Sequence, residues 1–370
     1  MASNDEHVSD LRATIDKAKI EARFDEAALG LIDLAEKAET AEERAAAIEE
    51  AADLFQDKLD DANQAAVLRR VLVELYEESD NFAKAADVLE QLVDQGSDPV
   101  ETLEQLAGIY AELEDWEKLV QTYDRLVEKT DESADKIAVY RQRAMIQKEA
   151  LGRADDALAT NEEILALDAS DAEALDAVIA GYEDRERWDD LKKLFEEQAT
   201  NDATERTNWL RRAADAASKT DGGTEEKNRL LAKILDENPS DAGALESLEA
   251  QAREDEDWVK VSELLAQRAE ATDDLTAKLT LWVEAGNVLA TRQADPAAAI
   301  PLFEHALRAK KNHLPAIDGL LSALNATEQY ELASKVYELK LHLSGGETQE
   351  IDARLAMALS LIHISEPHET

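Results

Sequence analysis

The chain has 370 residues, 44% of them hydrophobic and only 5% aromatic, with 12 glycines, 6 prolines and no cysteine. So many helix formers with so few breakers predict an all-α protein, and the lack of cysteine excludes disulfides, thiolate metal sites and cysteine nucleophiles. Lys and Arg number 40 against 84 Asp and Glu, a formal charge of −44; that field repels nucleic acids and anionic membranes and leaves open a solvated surface, a basic partner or mimicry of nucleic acid.

The opening residues MASNDEHVSDLR have neither a basic stretch nor an apolar core, and no apolar run approaches the roughly 18 residues of a membrane span. A cytoplasmic protein with no membrane or nucleic-acid partner is expected. Residues 1–20 are expected to form an N-terminal tail or capping helix, and residues 21–345 about nine to ten helix pairs. Around 58–76 (KLDDANQAAVLRRVLVELY) the unit is compressed, and before about residue 64 the pattern leaves the helix register open.

From Phe82 a step of 34 leads to Trp116, the aromatic that heads a second helix in EDWEKLV (114–120). The motif returns as ERWDDLKKLF (186–195), EDWVKVSELL (256–265) and EQYELASKVY (328–337), which places Trp116, Trp188, Trp258 and Tyr330 at intervals of 72, 70 and 72. Leu103, Leu175, Leu245 and Ile317 lie thirteen residues before them, and Tyr110, Tyr182, Ala252 and Leu324 six before. Leu119, Leu191, Val261 and Ala333 follow at three, and Tyr123, Phe195, Leu265 and Tyr337 at seven. Between these copies runs an alternate pair, with links ILALDASDAEAL (164–175) and ILDENPSDAGAL (234–245) and second helices LGRADDALATNEEIL (151–165) and RQADPAAAIPLFEHAL (292–307). Each period of about 70 therefore holds two helix–turn–helix units.

LEQLAGIY (103–110), with its bulky residue, Leu, small residue and Tyr, and ENPSDAGAL (237–245), with Pro239 in the link, resemble the tetratricopeptide repeat. The likeness spans roughly 20–345 as a degenerate tandem array of the bacterial type. Ala169 replaces the link proline once, and DGGT (221–224) lengthens one turn. The resemblance implies a right-handed superhelical solenoid of antiparallel helix hairpins. Spacing at i, i+3, i+4 and i+7 gives each helix one apolar stripe, which a single hairpin cannot bury, so neighbours must stack. Ala107, Ala144 and Ala213 fall where backbones approach.

Trp116, Trp188, Trp258 and Tyr330 are expected to wedge into the seam between hairpins, and truncating one costs about 3–5 kcal/mol if it is buried. Glu114–Lys118, Asp189–Lys193 and Glu256–Lys260 are expected as i,i+4 ion pairs on the exposed flank.

No chemistry appears. None of His7, His305, His313, His342, His363 and His368 forms an HExxH or another close ligand pair, and G-x-S-x-G is absent. Gly222–Gly223 and Gly345–Gly346 read as turn glycines. DASDAE (168–173) and DENPSD (236–241) lack the sixth-position Gly and closing Glu of a calcium loop and read as helix caps. No enzyme, metal or cofactor is expected.

The resemblance implies partner binding on a concave lining of first helices. Its inner positions fall on Glu101, Glu104, Gly108 and Glu112, then on Glu173, Asp176, Ala180 and Asp184, then on Glu246, Ala250, Arg253 and Glu254. Arg141 and Lys148 interrupt the acidic run. The Lys and Asn that clamp a peptide carboxylate in one subclass are replaced by Glu104/Gly108, Asp176/Ala180 and Glu246/Ala250. The expectation is a non-catalytic scaffold for a partner protein or peptide, with a Lys/Arg-rich segment favoured over an acidic tail. The alternative is an N-terminal regulatory or docking arm of a longer enzyme truncated at the C-terminus. Residues 346–358 are expected to begin a final partial helix. LSLIHISEPHET (359–370) breaks the acidic, helical style and resembles a translated sequencing adaptor, so it is expected to be non-native.

Overall fold

The computed structural model describes residues 2–96 and 99–343, which hold nineteen α-helices, one π-helical turn and no strand. The expected Gly345–Gly346 turn, the partial helix and the adaptor-like tail lie outside the described residues. The chain forms two compact units, divided between Gly181 and Tyr182.

The first unit runs through α1 (Ala2–Ile20), α2 (Phe24–Lys37), α3 (Ala41–Asp57), α4 (Ala62–Glu78) and α5 (Phe82–Asp94). It continues through α6 (Pro99–Glu112), α7 (Trp116–Lys129), α8 (Ser133–Met145) and α9 (Ala154–Leu167). The division falls within α10 (Ala172–Asp184). The second unit holds α11 (Trp188–Asn201), α12 (Arg206–Ala217), α13 (Thr224–Glu237), α14 (Ala242–Glu254) and α15 (Trp258–Ala271). It ends with α16 (Leu275–Thr291), α17 (Pro296–Ala309), α18 (Leu314–Ala326) and α19 (Tyr330–Leu343). From α1 to α9, and again from α11 to α19, each helix packs on the next.

One turn closes hairpin after hairpin. The residue two places before the second helix is left-handed: Glu114 has φ 53°, Glu186 53°, Glu256 57° and Glu328 59°. At the first of these the Glu114 N–H donates to the Ala111 carbonyl at 3.1 Å and the Asp115 N–H to the Tyr110 carbonyl at 3.0 Å. This Schellman pairing satisfies carbonyls at the end of α6. The Asp115 carboxylate then caps α7 by accepting from the Lys118 N–H. Three residues thus reverse the chain, and the aromatic falls at the first helical position.

The compressed stretch around 58–76 has a topological cause. Left-handed Asp60 (φ 55°) joins α3 to α4, and left-handed Asp80 (φ 54°) joins α4 to α5. α4 therefore ends one tight hairpin and begins the next. DGGT makes a longer turn, in which Gly222 is left-handed (φ 73°) and a Cβ on Gly223 would lie 1.8 Å from the Ala217 carbonyl oxygen.

The recurring positions form the core. Leu103, Leu175, Leu245 and Ile317 are buried, as are Leu119, Leu191, Val261 and Ala333. Tyr110, Tyr182, Ala252 and Leu324 are buried too, and so are the small residues Ala107, Ala144 and Ala213. Each fully buried Leu contributes about 1.5–3 kcal/mol from removal of apolar surface. Phe303 of α17 is wholly buried in a slot between α16 and α18, where a Cβ on Gly286 or Gly319 would come within 2.7 or 2.3 Å of its ring.

Two local expectations are corrected. The i,i+4 pairs do not form: Lys118 pairs with Asp115, Lys192 with Asp189, Lys193 with Asp190 and Lys260 with Glu263, all at i,i+3. Glu114 and Glu256 sit in the left-handed turn, outside the helix that carries their supposed partners. The second correction concerns α8, which ends in a π-helical turn, Ile146–Ala150. The wider turn takes Lys148 out of the α-helical register it would share with Arg141. Gln147 is buried there, and its Oε1 accepts from the Thr160 hydroxyl at 2.7 Å.

Candidate functional site

Glu101, Glu104 and Glu112 are exposed on α6, Asp176 and Asp184 on α10, and Glu254 on α14. Lys148 is exposed in the π-helical turn. Glu104 and Gly108 line a 480 Å³ groove of the first unit, shared by α6, α7 and α8, with Tyr123 in its wall and Asp135 and Gln142 on the far side. Glu101 lies 3.7 Å from Arg70.

Both sequence-nominated arginines are tied into the fold. Arg141 pairs with the buried Asp171 and, at 3.3 Å, with Glu173. Asp171 also caps α10 by accepting from the Ala174 N–H at 3.0 Å. The arrangement recurs one period later: Arg211 meets Asp241 at 3.1 Å, and Asp241 caps α14 at the Ala244 N–H. Arg141 is therefore a brace for a helix cap, and its match to Arg211 is a signal that the 70-residue period already contained. Ser170 donates through both its N–H and its hydroxyl to Asp168, which holds that carboxyl below its usual pKa. These links behave as caps, and no group of three or more His, Cys, Asp or Glu able to hold a metal occurs among the described residues.

Arg253 bonds the buried Glu249 at 2.8 Å and Glu284 at 2.6 Å. Burial disfavours its charge, but the hydrogen bonds to Glu249 and Glu284 outweigh that, and its pKa rises. Arg268 joins the cluster through Glu249 and, at 2.6 Å, the nominated Glu246. Burial also raises the Tyr110 pKa, reinforced by the hydrogen bond its hydroxyl donates to Glu90 at 3.0 Å.

The seam aromatics are half-buried: Trp116, Trp188, Trp258 and Tyr330 each begin a second helix with part of the ring still in water. Trp116 packs against the core of the first unit and Trp258 against Leu264 and its neighbours. Lys219 lies over the Trp188 ring at 3.9 Å and Arg292 over that of Trp258 at 5.4 Å. These contacts add cation–π attraction on the wet side.

A larger cavity, 990 Å³, lies in the second unit and was not nominated by the repeat. Asn228, Ala232 and Leu235 of α13 line one wall at i, i+4 and i+7; Lys260, Leu264, Gln267 and Ala271 of α15 line another at i, i+4, i+7 and i+11. Leu248 and Ala252 of α14 also line it, with Trp282 of α16 and Leu302 and His305 of α17. Asp236, Asp255, Asp257 and Glu270 stand exposed among the lining residues. The sequence held a trace of this wall. α13 buries Leu230, Leu231 and Ile234 within the fold, which leaves Ala232 and Leu235 as surplus apolar residues.

The fold so described is a tetratricopeptide-like array of helix hairpins. No protein-family model and no curated protein matches the chain. Among solved structures it is similar to yeast Tom70, at 12% identity and a TM-score of 0.28, over 99% of this chain and 98% of that one. It is also similar to the C-terminal part of a TPR repeat-containing protein from Cytophaga hutchinsonii (16%, 0.30, over 68% and 99%) and to the P58(IPK) TPR domain (12%, 0.26, over 98% and 100%). The repeat itself is established by this chain's own periodicity and turns.

Proposed function

We propose that the protein is a non-catalytic, cytoplasmic scaffold that holds a partner protein or peptide on the concave face of its first helices, and that a Lys/Arg-rich segment is the favoured ligand. The observation that carries this reading is the recurrence of an exposed carboxylate at one repeat position, Glu104, Asp176 and Glu246, on a chain of charge −44. Such carboxylates attract cations at long range and pair with them at the surface of each unit. In the same reading Trp116, Trp188, Trp258 and Tyr330 are structural, filling the seam between hairpins.

A fluorescent Lys/Arg-rich peptide titrated at about 50 mM and about 300 mM salt tests it, because screening shortens the reach of the field. Binding should be measurable at low salt and weaken at least about tenfold at high salt, and Glu104→Lys with Glu112→Lys should weaken it further. No binding at low salt would remove the basic-partner reading.

A further inference from the structure

The cavity between α13 and α15 calls for an occupant different in kind from a merely charged strand. We propose that it anchors an amphipathic helix of a basic partner, its apolar stripe seated between α13 and α15 and its Lys and Arg side chains meeting the acids beside them. The inference rests on the scaffold reading's basic partner and adds a contact walled mainly by second helices, apart from the carboxylates of the first helices.

Shape is the first argument. Each wall is a face of a 14-residue helix, about 21 Å long at 1.5 Å per residue. The wall residues recur at helical spacing, which suits a ligand with anchors at i, i+4 and i+7. At 990 Å³ the space lies at the upper end of the roughly 300–1,000 Å³ usual for small-molecule sites.

Chemistry is the second. Ala232 is exposed and Leu235 and Leu248 are only half-buried, so apolar surface is left in water. Four exposed acids stand by it, while the cation in its wall, Lys260, is engaged by Glu263 at 3.3 Å. Asn228 Oδ1 is closed to solvent and accepts no hydrogen bond. Its side-chain torsion is soft, and rotation would present the oxygen to an incoming N–H or ammonium donor. A second copy of this chain, at −44, would bring like charge to the rim.

The test uses the full chain and two labelled peptides of about 14 residues with one composition of Leu and Lys. One has Leu at i, i+4, i+7 and i+11; in the other the order is scrambled so that no stripe forms. The striped peptide should bind at least about tenfold more tightly near physiological salt. Ala232→Glu places a good helix former on the cavity wall while adding negative charge. It should abolish the preference for the stripe and leave the scrambled peptide bound as well or better. Asp236→Lys with Asp255→Lys, both at exposed sites, should weaken the striped peptide about tenfold. Equal binding of the two peptides, or a preference that survives Ala232→Glu, overturns the inference while leaving the scaffold reading intact. Equal binding of a neutral striped peptide removes the charge requirement and overturns it as stated. Concentration-dependent self-association abolished by Ala232→Glu would assign the cavity to a second copy. Failure of both peptides at low salt overturns the scaffold reading's basic partner as well.

Discussion

At the scale of single residues, the hairpin turn is where sequence and backbone disagree. Glu114, Glu186, Glu256 and Glu328 occupy left-handed conformations that glycine adopts freely, and the equivalent places in two other hairpins are Gly152 (φ 65°) and Gly222 (φ 73°). A left-handed non-glycine residue costs about 1–2 kcal/mol, and a glycine placed there gives back about 0.4–1 kcal/mol through the freer unfolded chain. Glu114→Gly should therefore stabilise the protein by about 0.5–1 kcal/mol, read as a higher denaturant midpoint with an unchanged slope. A lower midpoint would mean that the Glu114 side chain makes a contact worth more than the strain. This turn could not be read from composition, since glutamate in a left-handed turn looks no different from glutamate on a helix. The same ambiguity made Glu114–Lys118 look like a helical pair. The aromatic one step beyond the turn cap was legible, because an indole among charges recurs too regularly for chance.

At the scale of helices, the existence and order of the elements followed from apolar spacing, and their exceptions came from tertiary packing. Buried Gln147 and Thr160 satisfy each other across the π-helical turn, and nothing in IQKEA alone marks that pairing. Arg141 illustrates a different loss. Its positive charge stood out against acidic neighbours and suggested a ligand contact, whereas its partner, Asp171, lies 30 residues away on a helix cap. Helix α17 carries a further exception, since Pro301 stands inside it, exposed and beyond the first turn. The ring removes the hydrogen bond that residue 301 would donate to the carbonyl of Ala297 and crowds that carbonyl. An interior proline costs about 3 kcal/mol relative to alanine, part of which is offset because proline also restrains the unfolded chain. Pro301→Ala should stabilise by about 2 kcal/mol, visible as a rise in melting temperature. No rise would show that the neighbouring packing, with Phe303 held between Gly286 and Gly319, already accommodates the ring.

At the scale of the whole molecule, charge sets the balance. Even if every Lys and Arg took one carboxylate, 44 acids would remain, by the difference of 84 and 40. Packed helices lie about 8–10 Å apart, within one Debye length at about 0.1 M salt, so acids on neighbouring helices repel across the surface. Exposed ion pairs, each worth about 0–1 kcal/mol, weaken in salt as well, but unpaired acids outnumber them. The melting temperature should therefore rise between about 20 mM and about 0.5 M NaCl, and a fall would mean that the ion pairs outweigh the repulsion. Acid brings two opposed effects. Protonating surface carboxylates relieves repulsion and stabilises the fold. Glu226, held low chiefly by its hydrogen bond from Arg229, and Asp168, held low by Ser170, act in the other direction. Their folded pKa values lie below the unfolded ones, so their contribution is complete above the unfolded values near 4 and disappears as pH falls through the folded values. Stability should accordingly increase from pH 7 toward about pH 5, as repulsion begins to fade while these two groups stay charged, and part of that gain should be lost below about pH 4, where the contribution of Glu226 and Asp168 disappears. A thermal-melt series in low salt reads both limbs. Because salt and mild acid remove the same repulsion, the increase toward pH 5 should nearly vanish when the series is repeated in about 0.5 M NaCl, whereas the acid limb, set by short hydrogen bonds, should persist.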